Sequence, residues 1–165
     1  MTVPTMDAAR ALLGAALLCG APQVLDLVHD DDLADESLRV VSGVIRGMAE
    51  FGIPIDPTTV LSRARASGIV TRLDAVQNFG MLLGELLIEC PNPASARWYA
   101  AAVLEDALRR RTAEAGERLT QAAEGEGLES LLELVDHEHR AVRALADRRA
   151  AATGEDGPRL RAVGT

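Results

Sequence analysis

The apolar positions in the first half of the chain recur every three or four residues, the spacing that places side chains on one face of an α-helix. A first helix is predicted from about residue 8 to residue 18, with Thr5 as its N-cap and Gly20 at its end. Pro22 opens a short second helix that reaches Val28. The clearest apolar stripe follows, and its members are Leu38, Val41, Val44, Ile45 and Met48.

Residues typical of helix starts mark three further elements. Asp35 is the predicted N-cap of the striped helix, and the pair Asp56-Pro57 supplies both a cap and a proline at the first helical position of the next. Thr71 and Asp74 have the spacing of a capping box. The helix predicted after that box carries Leu82, Leu83, Leu86, Leu87 and Ile88.

Pro91-Asn92-Pro93 divides the chain, because two prolines cannot continue a helix and each pushes its preceding residue into an extended conformation. Beyond it, two long helical patterns at about residues 94–123 and 128–152 flank the polar turn 124–127. They predict an antiparallel helical hairpin. The domain organisation is therefore a globular subdomain at 1–92, a hairpin at 93–152 and a disordered tail at 153–165.

The second arm of the hairpin has a heptad pattern, with six of eight seam positions apolar and Glu138 and Arg149 as the exceptions. The first arm covers only part of this seam. An isolated pair of helices also leaves two outer faces in water, so the rest of the seam is expected to contact another chain. The predicted partner interface is Leu128, Leu131, Val135, Val142 and Leu145.

The helical patterns predict an all-α fold, a compact bundle of about five helices followed by the hairpin, and the composition makes an all-β fold unlikely. The chain has one Trp, one Tyr and two Phe, too few for an ordinary sandwich or barrel core. Trp98 and Tyr99 are expected to anchor the hairpin base by packing. Cys19 and Cys90, far apart in sequence, are expected to be small buried side chains rather than a disulfide framework.

Charge excludes several functions. All 17 basic residues are Arg, so no lysine-dependent chemistry, including a nucleotide-binding P-loop, is available. The net charge of −8 disfavours nucleic-acid binding by the surface as a whole.

No secretory signal or membrane span is evident in the sequence, so a cytoplasmic location is expected. No Ser-His-Asp or Cys-His arrangement has local support; an enzyme is not expected, and neither is a cofactor.

Two clusters suggest metal binding and are rejected on geometry. His137 and His139 lie two residues apart on a helix, about 200° around its axis, so they cannot easily share an ion. The run from His29 to Asp32 is linear, whereas magnesium and calcium sites need oxygens that converge from several places. A solvated loop is the expected structure of that run, and no metal is predicted.

Arginines on the hairpin are the one feature that favours nucleic-acid contact. The candidates are Arg109, Arg110, Arg111, Arg148 and Arg149. Residues 96–165 carry 11 Arg against 13 Asp and Glu, so even this half is not basic. A helix face with internal ion pairs is the favoured interpretation, with Glu105, Asp106, Glu114 and Glu117 as acids within reach of the first three.

Taken in order, several short motifs resemble the N-terminal domain of the DnaB family of bacterial replicative helicases. Residues 7–14 read D-A-A-R-A-L-L-G, similar to that family's E-A-E-Q-A-V-L-G, and residues 31–33 are similar to its D-D-F. Arg39 falls on the Arg of its P-x-H-R-x-I-F segment. Residues 52–59 match G-x-P-I-D-x-x-T, and residues 99–107 match Y-A-x-x-V-x-E-x-A. The resemblance covers about residues 6–150.

The departures concern aromatics, glycines and the motor. Leu33 and Ala34 stand where the family has aromatics, and Gln77-Asn78 stands where it has two glycines. The family's C-terminal half is a RecA-like ATPase, and this chain has no G-x-x-x-x-G-K-[ST] motif. The last residues read as a natural tail rather than a linker, so a stand-alone domain is expected.

The resemblance implies a scaffold role. In the family, hairpins of two subunits pack together, the dimers build the collar of a hexameric ring, and the collar docks primase. We therefore expect a protein interaction module that forms a homo-oligomer and binds primase or the replicative helicase in DNA replication. The alternative is a small all-α DNA-binding regulator that uses the arginine-rich arm.

Overall fold

A computed structural model describes residues 7–20 and 22–154 and contains six α-helices over those ranges. They are α1 (Ala8–Cys19), α2 (Glu36–Glu50), α3 (Pro57–Ala66), α4 (Leu73–Ile88), α5 (Ala96–Gly125) and α6 (Leu128–Thr153). Three short 3-10 helices lie at Pro22–Leu25, Asp30–Asp32 and Pro93–Ser95. The described part has no strand, which confirms the all-α fold class.

Helix starts follow from capping side chains. Asp35 accepts a hydrogen bond from the Ser37 amide at 2.7 Å, and Asp56 accepts from the amides of Thr58 and Thr59 at 2.8 and 3.0 Å. Both caps are as predicted. Each carboxylate satisfies amides that the first turn of a helix leaves without an intrahelical partner.

Two predicted starts are wrong. Asp7 rather than Thr5 caps α1, accepting from the amide of Ala9 at 2.9 Å; Thr5 itself lies outside the described residues. Arg72 occupies the N-cap of α4 without a side-chain bond, so Thr71 caps nothing there. The segment opened by Pro22 is also shorter than expected, a single 3-10 turn that ends at Leu25.

The core lies where α1, α2, α4 and the first half of α5 meet. The predicted stripe of α2 is buried as a whole. Other large side chains of the same core that are fully buried include Leu12, Leu13, Leu83, Leu86 and Leu104. The partly buried Tyr99 packs against this core, as expected, whereas Trp98 is 56% exposed and anchors no packing. Cys90 is buried but Cys19 is exposed, so the prediction for the cysteines holds for one of the two.

Gly14 sets the distance between α1 and α4. A Cβ atom at this position would lie 2.1 Å from the Leu86 carbonyl oxygen and 2.8 Å from the Cys90 Cβ. Both distances are far below van der Waals contact. The two helices therefore cross at a separation that only glycine permits.

Helices α5 and α6 form the predicted antiparallel hairpin. At 1.5 Å per residue, the 30 residues of α5 span about 45 Å. The base of the hairpin packs into the core through Ala100, Val103, Leu104 and Leu145. α6 includes Thr153, one residue beyond the predicted boundary, and residues 155–165 of the predicted tail lie outside the described residues.

Candidate interaction surface

The exposure of the apolar side chains of α6 increases from the base of the hairpin to its turn. Near the base, Leu145 is 7% exposed and Ala152 is 1% exposed, because both pack on the globular part. Near the turn, Leu128 is 72% exposed, Leu132 56% and Val135 42%. The same heptad seam is therefore core at one end and open surface at the other.

The predicted interface residues divide accordingly. Leu128 and Val135 are exposed, Leu131 and Val142 are half-buried, and Leu145 is part of the core with little surface left for a partner. Leu132, which is also exposed, was not among the predicted interface residues because it falls outside the heptad seam. The sequence nevertheless places Leu132 on the same helix face as Leu128 and Val135, because positions 128, 132 and 135 have the i, i+4, i+7 spacing of a single face.

A shallow groove of about 380 Å³ runs between the two arms in the distal half of the hairpin. Ala115 and Gly116 leave space in its α5 wall, and Gly116 has no atom within 4 Å of the position that a Cβ would take. The lining residues are Thr112, Ala115, Gly116, Leu119, Val135, Glu138, His139 and Val142. The groove is thus largely apolar and joins the exposed face that carries Val135.

Glu138, one of the two polar exceptions in the seam, is an ion-pair centre between the arms. Its side chain is 4% exposed and receives Arg118 Nε at 2.8 Å and Arg111 Nη2 at 2.9 Å. The hydrogen bond from Arg118, with the positive charge of Arg111, lowers the pKa of the Glu138 carboxyl below its ordinary value. A buried carboxylate tolerates only an arrangement that keeps it paired, so this network fixes the register of the arms.

Arg149, the second exception, also pairs across the hairpin. Its guanidinium contacts Glu105 at 2.9 Å, and Glu105 accepts from Arg109 at 2.7 Å as well. The hydrogen bond from Arg109, followed by that from Arg149, lowers the pKa of the Glu105 carboxyl. Both polar seam positions are therefore cross-arm ion pairs rather than contacts for another chain.

The acidic run at 29–32 binds the hairpin base to the globular part. Asp32 is 6% exposed and receives both terminal nitrogens of Arg148, at 2.5 and 3.0 Å. Asp30 accepts from the Ser42 hydroxyl at 2.8 Å and from Arg46 at 3.2 Å. The expected solvated loop is thus wrong, because these carboxylates are partners of buried or half-buried groups.

All five candidate nucleic-acid arginines have partners within the chain. Arg109 and Arg149 share Glu105, Arg111 contacts Glu138, and Arg148 contacts Asp32. Arg110 donates to the carbonyl oxygens of Asp31 and Asp32, both at 3.0 Å. Each of these guanidinium groups is thus partly neutralised within the chain, which supports the ion-paired interpretation of the arginine-rich arm.

Histidines, acids and cysteines do not converge. Over residues 7–20 and 22–154 no group of three or more metal-ligating side chains is close enough to hold an ion. His139 lines the groove and His137 does not.

Burial raises the pKa of the Cys90 thiol above its ordinary value. Within the same residues, no helix combines the length and apolar character that crossing a membrane requires.

Fold and surface together define a class of protein: an all-α domain with a projecting two-helix arm whose tip is apolar. Residues 3–105 match the family model described as the DnaB-like helicase N terminal domain. The chain belongs to that family.

Two relatives found by sequence comparison are replicative helicases. The chain is 32% identical over 127 residues to the replicative DNA helicase DnaB of Leifsonia xyli subsp. xyli, covering 74% of this chain and 27% of that protein. It is 30% identical over 146 residues to the DnaB of Mycobacterium leprae, covering 86% and 23%. The chain thus spans about a quarter of the length of these relatives.

A solved structure matches most of the chain. The crystal structure of the N-terminal domain of DnaB helicase from Mycobacterium tuberculosis has a TM-score of 0.65 and 27% identity. The match covers 87% of this chain and 96% of that one. It therefore extends beyond the family-model match, which ends within α5.

Proposed function

We propose that the chain is a non-enzymatic interaction module of the replicative helicase system, and that it self-associates through the distal half of its hairpin. Family membership supports the helicase context. The observation that carries self-association is the face of Leu128, Leu132 and Val135, exposed beside an apolar groove at the tip. Leaving these side chains in water costs free energy that a second hairpin recovers by covering them.

The proposed contact is hairpin against hairpin. Two copies of one face bury it when related by a twofold axis, because each copy then supplies the surface that the other needs. The cross-arm ion pairs of Glu138 and Glu105 support a preformed surface, since they hold the arms in register before a partner arrives.

Light scattering on a sizing column tests this proposal. The wild-type chain at tens of micromolar is expected to show a mass of at least two copies. Val135→Glu or Leu128→Glu, each at an exposed position, is expected to reduce that mass to one copy while circular dichroism stays helical. Ser130→Glu adds the same charge on the opposite side of α6, about 200° from Leu128, and should change nothing. A monomeric wild type would refute self-association.

We further propose that the assembled module binds the replicative helicase or primase. The support is the identity of the relatives, which are replicative helicases, and the family resemblance of the motifs. Sedimentation of the chain mixed with purified primase, and separately with purified helicase, measures this. Co-sedimentation with either, lost in Leu128→Glu, is the expected result, and separate boundaries in both mixtures would contradict it.

A further inference from the structure

An apolar cavity, here called the base cavity, lies where the starts of α1 and α2 meet the first half of α5. Its volume is about 490 Å³, and the buried side chains of Leu33, Leu38 and Val103 form its floor. Small side chains form its walls, namely Ala8, Ala9, Ala34 and Ala102. The volume is within the range of ordinary ligand pockets, so the base cavity can receive an apolar side chain.

Carboxylates form the rim of the base cavity. Asp7, Asp35 and Asp106 line it and are exposed, and Arg110 is the one cation among its described lining residues. A fourth lining acid, Asp32, is already neutralised by its ion pair with the hairpin base. Asp7 and Asp35 accept helix amides through Oδ1, at 2.9 and 2.7 Å, and each keeps a second oxygen for another donor. The two helix ends offset about half a charge each, which leaves the rim negative.

The occupant that suits the base cavity is therefore an apolar side chain with cations beside it. Residues 155–165 lie outside the described residues, and their sequence contains such a group, because Leu160 stands between Arg159 and Arg161. We propose that Leu160 enters the base cavity, with the two arginines paired to carboxylates of its rim. Neighbouring side chains alternate in an extended segment, so both guanidinium groups lie on the rim side when Leu160 points inward. This contact replaces the disorder that the sequence predicts for that part of the tail.

The tail begins close enough to reach the base cavity. Arg97 Nη2 lies 3.7 Å from the position that a Cβ of Gly154 would take, and the same nitrogen donates to a carbonyl oxygen in the last turn of α6 at 3.0 Å. Ala102 and Asp106 follow Arg97 by five and nine residues, about 8 and 14 Å of helix rise. With the roughly 10 Å diameter of a helix added across, the separation to be bridged is about 17 Å. The six residues from Gly154 to Leu160 span up to about 20 Å when extended.

Attachment to the same chain favours the tail over a separate peptide as the occupant. A free peptide that offers one leucine and two exposed ion pairs is expected to bind with a Kd on the order of 1 mM. A short flexible linker holds a segment near its site at an effective concentration of a few millimolar, roughly. The tethered segment is then bound most of the time. The base cavity is separate from the hairpin tip, so this proposal does not rest on self-association.

Cleavage of the full chain by an arginine-specific protease measures the contact. The protease cuts after Arg159 and Arg161 when the tail is free, and mass spectrometry assigns the released fragments. The protection of the tail is the cleavage rate of a synthetic peptide of residues 155–165 divided by the rate of the same sites in the chain. Wild type is expected to be protected about fivefold or more.

Three variants locate the contact. Ala102→Trp fills the base cavity from an exposed position of α5 and is expected to remove the protection. Leu160→Asn, compared with a peptide carrying the same change, is expected to remove it as well and leaves the helices untouched. Ala113→Trp adds the same ring at an exposed position of α5 outside the base cavity and should keep the protection. Circular dichroism monitors the fold of each variant.

Each outcome decides one point. A wild-type rate equal to that of the peptide refutes the contact, and equal protection in wild type and Ala102→Trp refutes the base cavity as its site. Protection that falls on dilution from about 100 to about 1 µM would assign the tail to the cavity of a second copy and overturn docking within one chain. Val135→Glu should retain full protection. The failure of self-association and the failure of the tail contact are thus observed separately.

Discussion

The crossing of α1 and α4 at Gly14 provides a sharp test of how the globular part is packed. Replacing Gly14 with Ala adds one methyl group at a position 2.1 Å from the Leu86 carbonyl oxygen. Backbone, unlike the end of a flexible side chain, cannot move aside without displacing the helix. The substitution should therefore push α1 and α4 apart and loosen the core between them.

The expected magnitude is the difference between two opposing effects. Alanine inside a helix is favoured over glycine by about 1 kcal/mol. Overpacking a close-packed core costs about 1–3 kcal/mol, and a clash with backbone belongs at or above the upper end of that range. The net effect of Gly14→Ala is then a loss of about 2 kcal/mol, which corresponds to a Tm roughly 4–8 °C lower for a chain of this size.

Gly47 supplies the matched control. It lies inside α2 with no atom within 4 Å of the position that a Cβ would take, so Gly47→Ala should keep the propensity gain without a clash and raise the Tm slightly. Chemical unfolding followed by circular dichroism measures both variants, at one fixed protein concentration because self-association shifts apparent stability. A Gly14→Ala variant as stable as Gly47→Ala would refute the reasoning that α1 and α4 cannot accommodate a Cβ at this crossing.

Three further predictions concern side-chain environments. Asp32→Ala breaks a buried ion pair and should cost about 3 kcal/mol of unfolding free energy in urea titrations, the lower end of the usual range because the Arg148 side chain is 21% exposed. Asp31→Ala, at an exposed side chain, should cost little. Cys19 should react with a thiol reagent within the mixing time and Cys90 only slowly, because burial both blocks its thiol and raises the pKa; equal rates would contradict the structure. The folded-state pKa of Glu138 is lowered, so its contribution to stability is present above its ordinary value of 4.5 and lost as the pH falls through the folded value. Unfolding free energies measured from pH 6 to pH 3 should therefore fall less steeply for Glu138→Gln than for wild type.

Local signals were sufficient for much of the fold. Asp35 and Asp56 were identifiable as caps because a capping carboxylate acts on amides only two or three residues away. The apolar stripe of α2 and the break at Pro91-Asn92-Pro93 are likewise properties of short segments. Asp7 was missed in favour of Thr5 because both residue types cap well, and the choice depends on where the helix meets the core.

Contacts between distant segments were not predictable in the same way. The seam pattern marked Glu138 and Arg149 as exceptions, but their partners lie on the other arm, and finding them requires the register of the hairpin. Leu145 and Leu128 occupy equivalent kinds of seam position, yet one is core and one is exposed. The difference arises because the globular part covers only the base of the hairpin. Trp98 illustrates the same limit, since its large apolar ring gives no indication of which face of α5 is covered.

Because the ion pairs at Glu138 fix the register of the two arms, the distance from the globular part to the hairpin tip could be changed only by equal insertions in both arms. Sliding one arm along the other by a heptad would carry this carboxylate about 10 Å from Arg111 and Arg118, so the arms cannot exchange registers freely. Equal heptad insertions on both arms between this point and the turn would leave every pairing below them intact. A spacer of that kind would carry the apolar tip outward in steps of about 10 Å, with the globular part unaltered.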